Sequence, residues 1–492
     1  MNAYKQLVER HEEIATLSSC AALLSWDQET YMPAKAVTYR AKQRAYLSQQ
    51  SHMLTTAPEV AKWLDDCGPC ADDTIEDANV RWWRHAHARA TKLPTDLVGA
   101  IEEATSLAVN AWQDALAKDD FGLFQPHLQT IIDHNRRKTD LWGYEESPYD
   151  ALLEEYERGA RASQLSSLFG ELRPELVSIV EQAVAQSKSK PAKSLKGDYP
   201  IPAQQAFNRE VCEAFGFDNE AGRIDTTTHP FCSRVAPHDT RLTTRYDETD
   251  FTSSLFGVLH ETGHGLYEQG LCQECFAQPQ GTSVSLGIHE SQSRLWENQV
   301  GRSADFWNHW LPVAAKHFPH LANWTPEEMT RAVNQAALTF IRVEADEVTY
   351  DLHIMLRFEI EKQLIEGNLK VQDLPEQWNA TFKDLTGLEV TNNVVGCLQD
   401  IHWSIGALGY FPTYSLGNLN AAQLFEAALA QTPSLNGDLA QGQYASLLVW
   451  LKSNVHQHGC RYLPNTLMEK ATGRTTGSEA YLKHLRSRYL TG

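Results

Sequence analysis

The sequence predicts a mainly α-helical protein with one small β-sheet near the middle of the chain. Apolar residues recur at i, i+3 and i+4 over 7–24, 80–117, 165–185, 329–365 and 422–430, the spacing that lines one face of a helix. Strict alternation is scarce, and 222–228 and 240–246 are the two strand candidates; the second reads Thr-Arg-Leu-Thr-Thr-Arg-Tyr, with β-branched enrichment. An apolar content of 42%, with 10% aromatic residues, suffices for a large packed core.

The elements follow in order. Stretches 7–24 and 80–117 form the helical opening, and 165–185 ends in punctuation at 187–197, where four lysines sit among small residues and predict a solvated, mobile loop. The strand candidates come next, and the chain closes on helices. No internal repeat of solenoid length is visible.

Charge narrows the function classes. Lys+Arg total 43 against Asp+Glu 63, a net charge of −20, which argues against the extended basic face that nucleic acid or anionic membranes require. We expect neither nucleic-acid nor membrane partners. The longest apolar runs fall far short of a bilayer span, and the first residues are charged without an apolar signal core, so a cytoplasmic location is expected. Nine cysteines, thinly spread, are not a disulfide framework. Cys67-Gly-Pro-Cys70 spells a thioredoxin-type redox sequence, but its surroundings read as helical and acidic, which raises a thiol pKa. Cys272 and Cys275 lie about 200 residues away, unlike a compact four-thiolate zinc site.

The chemistry concentrates between residues 222 and 414. In His260-Glu261-Thr262-Gly263-His264 the two imidazoles stand one helical turn apart and can reach a single tetrahedral ion. Glu261, beside the first, suits a general base toward water. The surrounding 250–270 stretch opens on Asp250 or Thr252 as N-cap and closes on Gly270, with Leu255, Leu259 and Leu266 as a buried face. Gly263 and Gly265 each cost a helix about 1 kcal/mol, which a close approach of another backbone or of substrate explains. A catalytic zinc keeps three protein ligands. Glu290, 26 residues after His264, is favoured as the third, as in gluzincins, with His289 as the competitor.

Six strings occur in a fixed order: Asp225-Thr-Thr-Thr-His-Pro-Phe231, Asp239-Thr-Arg-Leu-Thr243, His260-Glu-Thr-Gly-His264, His289-Glu-Ser-Gln-Ser-Arg294, Ile341-Arg-Val-Glu-Ala-Asp346 and Gly396-Cys-Leu-Gln-Asp-Ile-His-Trp403. With them the chain resembles the carboxypeptidase Taq family of metallocarboxypeptidases over nearly its whole length. The resemblance implies one large helical domain, 1–492, with a deep substrate groove, a zinc site at its floor and a three-stranded sheet beside it. It also implies a homodimer, one zinc per chain with cobalt or manganese as occupants the same ligands accept, and broad cleavage at peptide C-termini with proline disfavoured.

Roles for single residues follow. By resemblance Arg342 holds the substrate carboxylate, which a guanidinium fork suits; a salt bridge to Glu344, Asp346 or Glu347 is the alternative. His402 and Tyr414 or Tyr410 are candidates to stabilise the oxyanion, with buried packing as the alternative for the tyrosines. His229, before a proline, is a candidate groove donor. Asp239 and Arg241 share a strand face, as groove wall or as a pair with neighbours. Glu268 and Asp400 are candidates to accept the ligand histidines' second N–H. Two other functions stay open: an endo-acting metallo-oligopeptidase, and a silent peptide-binding or redox protein.

Overall fold

The computed structural model describes residues 2–70 and 74–490. The chain starts with a long hairpin, α1 (Ala3–Thr30) and α2 (Val37–Thr55), turned at Pro33. Eighteen further α-helices and one sheet are found among the described residues. The expected helix at 80–117 is two, Ile75–Lys92 and Thr95–Lys118, because Pro94 cannot donate to a continuing helix.

The sheet has three strands, β1 (Gly222–Thr226), β2 (Cys232–Ala236) and β3 (Asp239–Thr244), in the order β1-β3-β2. β1 runs parallel to β3 and β2 antiparallel, so Ile224 and Cys232 flank Leu242 from either side. Two of the strands match the alternating stretches; β2 does not alternate cleanly and was expected only from the family resemblance.

Four helices build the centre. α3 (Phe251–Gly270) packs on the sheet, and α4 (Leu286–Arg294) continues into a π-helical turn, Leu295–Gly301. α5 (Tyr350–Glu366) and α6 (Pro412–Gln431) complete it. One apolar core surrounds α5, the other surrounds α3 and the π-turn, and α6 contributes to both, with Leu419 in the first and Leu424 in the second. α6 therefore spans the seam between the two cores.

One expected helix is interrupted. The 329–365 stretch is helical over Pro326–Val333 and again over α5, with an irregular loop at 334–349 that carries Arg342. No proline or glycine causes the break. Asp346 accepts the backbone N–H groups of Ala337, Val348 and Thr349 at 2.7, 3.1 and 3.0 Å, so a half-buried carboxylate satisfies the backbone in place of a helical ladder. Within the 187–197 segment, Lys193 lies over the Trp324 ring and Lys196 pairs with Asp250 at 3.3 Å.

Candidate metal centre

α3 begins where the Asp250 carboxylate accepts the Thr252 N–H at 3.0 Å. Its two internal glycines are explained by crossings. A Cβ on Gly263 would stand 2.4 Å from the Gln292 carbonyl oxygen on α4, and one on Gly265 would meet Phe217 and Leu242 at under 3 Å. α6 crosses α4 in the same way, because a Cβ on Gly417 would lie 2.4 Å from Glu290 Cγ. The expected stop at Gly270 is shifted by one residue: the helix includes Gly270, which makes room for His456, and caps at Leu271.

These crossings bring Glu290 to the histidines. Its Oε2 lies 3.6 Å from His260 Nε2 and 3.4 Å from His264 Nε2. Among the described residues, His260, His264 and Glu290 form the one cluster whose donor atoms all fall within 4.8 Å of each other. Each histidine's other nitrogen is engaged. His260 Nδ1 faces Glu297 Oε2 at 3.0 Å, from the π-turn, and His264 Nδ1 faces the His289 carbonyl oxygen at 3.1 Å and the His289 ring Nδ1 at 2.5 Å. Both Nε2 lone pairs are thereby left for an ion, so the residues fit a metal. His289 itself is turned away, with Nε2 at 2.7 Å from Glu268.

The expectation for the outer acceptors is corrected. Glu268 reaches His264 only through His289, and Asp400 bonds two arginines; the direct acceptors are Glu297 and a backbone carbonyl. Glu297 was missed because it lies in a π-turn, a local widening that no apolar periodicity reveals. Arg294 was missed too, although it stands four residues after Glu290. Its Nε donates to Glu290 Oε1 at 2.7 Å and its Nη1 to Glu297 Oε2 at 3.4 Å.

Burial sets the charges. Burial alone would raise the Glu290 carboxyl, but Arg294, His260 and His264 offset it and hold the group well below the carboxylate range. At Glu261 the pull of His260 and His289 does not offset burial, which pushes its carboxyl up to about 7, and its Oε2 is buried without a hydrogen-bond partner. A carboxyl poised near neutrality can take a proton and release it.

Beside this centre lies a second cluster. The Tyr414 hydroxyl is 3.5 Å from His402 Nε2, and the Tyr410 ring is 5.4 Å from that of Tyr414. Burial, together with Arg342 and Arg357, pushes His402 down to about 4, so it is neutral at physiological pH. Arg342 is buried at 6% exposure. Its Nε and Nη2 donate to Asp400 Oδ1 at 3.1 and 2.7 Å, and its Nη1 donates to the Tyr350 hydroxyl at 2.8 Å. The same Asp400 accepts from Arg357, so two guanidiniums share one carboxylate. Tyr350 and Arg357 carried no signal in sequence, since only the fold brings them to Arg342.

The remaining candidates stand on the sheet. Asp239 and Arg241 pair with each other through two contacts of 2.8 Å, and the Arg241 guanidinium lies over the Trp26 ring of α1. His229 is exposed between β1 and β2. Burial raises the Cys67 thiol, and Arg84 donates to Cys70 at 3.2 Å, while the acidic residues that follow, Asp72 and Asp73, lie outside the described residues.

A model of the carboxypeptidase Taq (M32) metallopeptidase family matches residues 6–489. The chain belongs to that family. It is 41% identical to thermostable carboxypeptidase 1 of Thermus thermophilus, covering 99% of this chain and 98% of the relative. It is 34% identical to carboxypeptidase 1 of Bacillus subtilis, over 99% and 97%. Among solved structures, an M32 carboxypeptidase from Deinococcus radiodurans superposes with a TM-score of 0.95 at 37% identity, covering 99% of both chains. A Pyrococcus furiosus carboxypeptidase gives 0.96 at 35%, again over 99% of both. Family membership makes this chain a peptidase, a metal-dependent carboxypeptidase. No helix among the described residues is long and apolar enough to cross a membrane.

Proposed function

We propose that the chain is a zinc-dependent carboxypeptidase that removes the C-terminal residue of peptides with broad specificity, proline excepted. The observation that carries this reading is the convergence of His260, His264 and Glu290 beside the unpartnered oxygen of Glu261. A tetrahedral zinc with bonds near 2.05 Å has ligand–ligand edges of about 3.3 Å. The 3.4 and 3.6 Å separations approach that. When bound, the ion would acidify water and polarise the scissile carbonyl.

The chain's own residues do the rest. Glu261 takes the proton of the attacking water and delivers it to the departing amine. His402 and Tyr414, both neutral, donate hydrogen bonds toward the developing oxyanion, with Tyr410 beside them. Arg342 and Arg357 against Asp400 leave a buried cluster with one uncompensated positive charge. Arg342 keeps one N–H on each of its Nη atoms beyond those bonds. A substrate carboxylate would neutralise the cluster, and that contact sets the register that places the last peptide bond over the metal. Asp239, Arg241 and His229 form the wall farther along the groove.

We also propose that residues 1–492 are a single catalytic domain, acting in the cytoplasm as a homodimer with one ion per chain, and that cobalt or manganese can replace zinc. Family resemblance supports these points. A peptide compared with its C-terminally amidated twin tests the exopeptidase reading. The acid should be cleaved and the amide spared; equal rates would favour an endo-acting oligopeptidase.

A further inference from the structure

A cavity of about 630 Å³ lies where the end of the Ala162–Ser189 helix, the end of the π-turn, the Pro326–Val333 helix and the Glu479–Tyr489 helix meet. That volume suits a small molecule. Its charged wall is one-sided: Lys190, Arg302, Arg331 and Arg488, with the His484 ring beside them, face Glu327, in a chain whose net charge is −20.

Two of these cations are built in. Arg302 donates to Asn298, to the Val333 carbonyl and to Glu297, and lies over the Phe256 ring at 3.8 Å. Arg488 donates to the carbonyls of Asn298 and Gln299 and to Glu347. Arg331, by contrast, is exposed and has no ion-pair partner among the described residues. Ser303, His484 and Arg488 also line a second hollow of about 280 Å³, whose other walls include Phe306, Phe425 and Leu429. The two hollows offer a cationic wall backed by an apolar one.

The cavity is also joined to the metal centre. Arg302 Nη2 donates to Glu297 Oε1 at 3.1 Å, and Glu297 Oε2 faces His260 Nδ1 at 3.0 Å. An anion that draws Arg302 toward itself weakens one donor to Glu297. The carboxylate then pulls harder on the His260 N–H, which makes Nε2 a better ligand.

We propose that this cavity binds a small anion carrying an apolar group, and that its occupancy is transmitted to His260 through Arg302 and Glu297. The binding does not depend on the proposed function; the transmission rests on the reading of His260 as a metal ligand. Calorimetry on the full-length, zinc-loaded protein with phenyl phosphate, inorganic phosphate and phenol tests the first part. Phenyl phosphate should bind, inorganic phosphate more weakly and phenol least. Arg331→Ala should weaken phenyl phosphate about tenfold, the loss of one charge-assisted contact. Absence of binding, or equal binding by Arg331→Ala, overturns the site; the latter would place the ligand elsewhere, such as at the metal. Chelator competition tests the second part. Saturating phenyl phosphate should tighten zinc retention about two- to tenfold in the parent, and less in Arg331→Ala. Binding without any change in zinc retention overturns the link through Arg302.

Discussion

The N-terminal hairpin and the metal centre are both helical, yet they are held in opposite ways. α2 has nineteen residues and none is buried, whereas thirteen of the twenty residues of α3 are. α2 is tethered to α1 by polar contacts: Arg40 donates to the Leu24 carbonyl and to Asp27, and Arg44 to Gln28. Its Tyr39, Tyr46 and Met53 are more than half exposed. The metal centre instead couples Glu290, Glu297, Arg294 and the two histidines to one another, all inside the protein. Changes on α2 should stay local, and changes around Glu290 should propagate.

The largest effect is expected at Arg294. Arg294→Met leaves Glu290 and Glu297 as buried carboxylates without their shared cation, a loss of about 3–5 kcal/mol by denaturant unfolding. A loss under about 1 kcal/mol would mean that the two carboxylates do not rely on it.

A comparable effect should follow pH at Glu347. Burial opposes its ionisation, but His484 and Arg488 hold its carboxyl down, to about 2. Burial disfavours protonation of His484, so it serves chiefly as a hydrogen-bond partner of Glu347. A folded pKa below the ordinary 4.5 gives stability that is full above about pH 4.5 and fades as pH falls toward 2. Glu347→Gln should therefore be less stable than the parent by about 2–3 kcal/mol at pH 7, with the gap narrowing steadily below pH 4.5. A gap independent of pH would assign the loss to packing.

Arg342→Ala should cost about 1.5–3 kcal/mol in kcat/KM, or about 10- to 150-fold, on a peptide with a free carboxylate, and little more on its amide. Simple addition of the two losses would show that Arg342 does not touch the carboxylate. Gly263→Ala should destabilise by about 1–3 kcal/mol, because its methyl would collide with backbone rather than with a movable side chain. The smallest effect belongs to the hairpin: Tyr46→Ser should change stability by no more than about 0.5 kcal/mol and leave kcat/KM unaltered. A large loss of activity there would break the contrast.

The same contrast explains what the sequence made legible. His260 and His264 are one turn apart, and Glu290 follows on the next helix, so local spacing brought all three into view. Gly263 and Gly265 were readable as sites of close approach because helical propensity argues against them. Glu297 sits within a π-turn, Tyr350 and Arg357 lie past a helix break made by Asp346, and no local pattern carries those facts. α2 has no buried face, so its helix showed no apolar period. Periodicity reports burial, and where a helix is bare or a polar network is assembled from distant loops, it is silent.

The most direct test of the account is metal analysis of the purified parent and Glu261→Gln, paired with turnover of a peptide substrate. The account predicts about one zinc per chain in both proteins, with turnover in the parent and nearly none in the variant. Full activity in Glu261→Gln, or a parent that is active without metal, would contradict it.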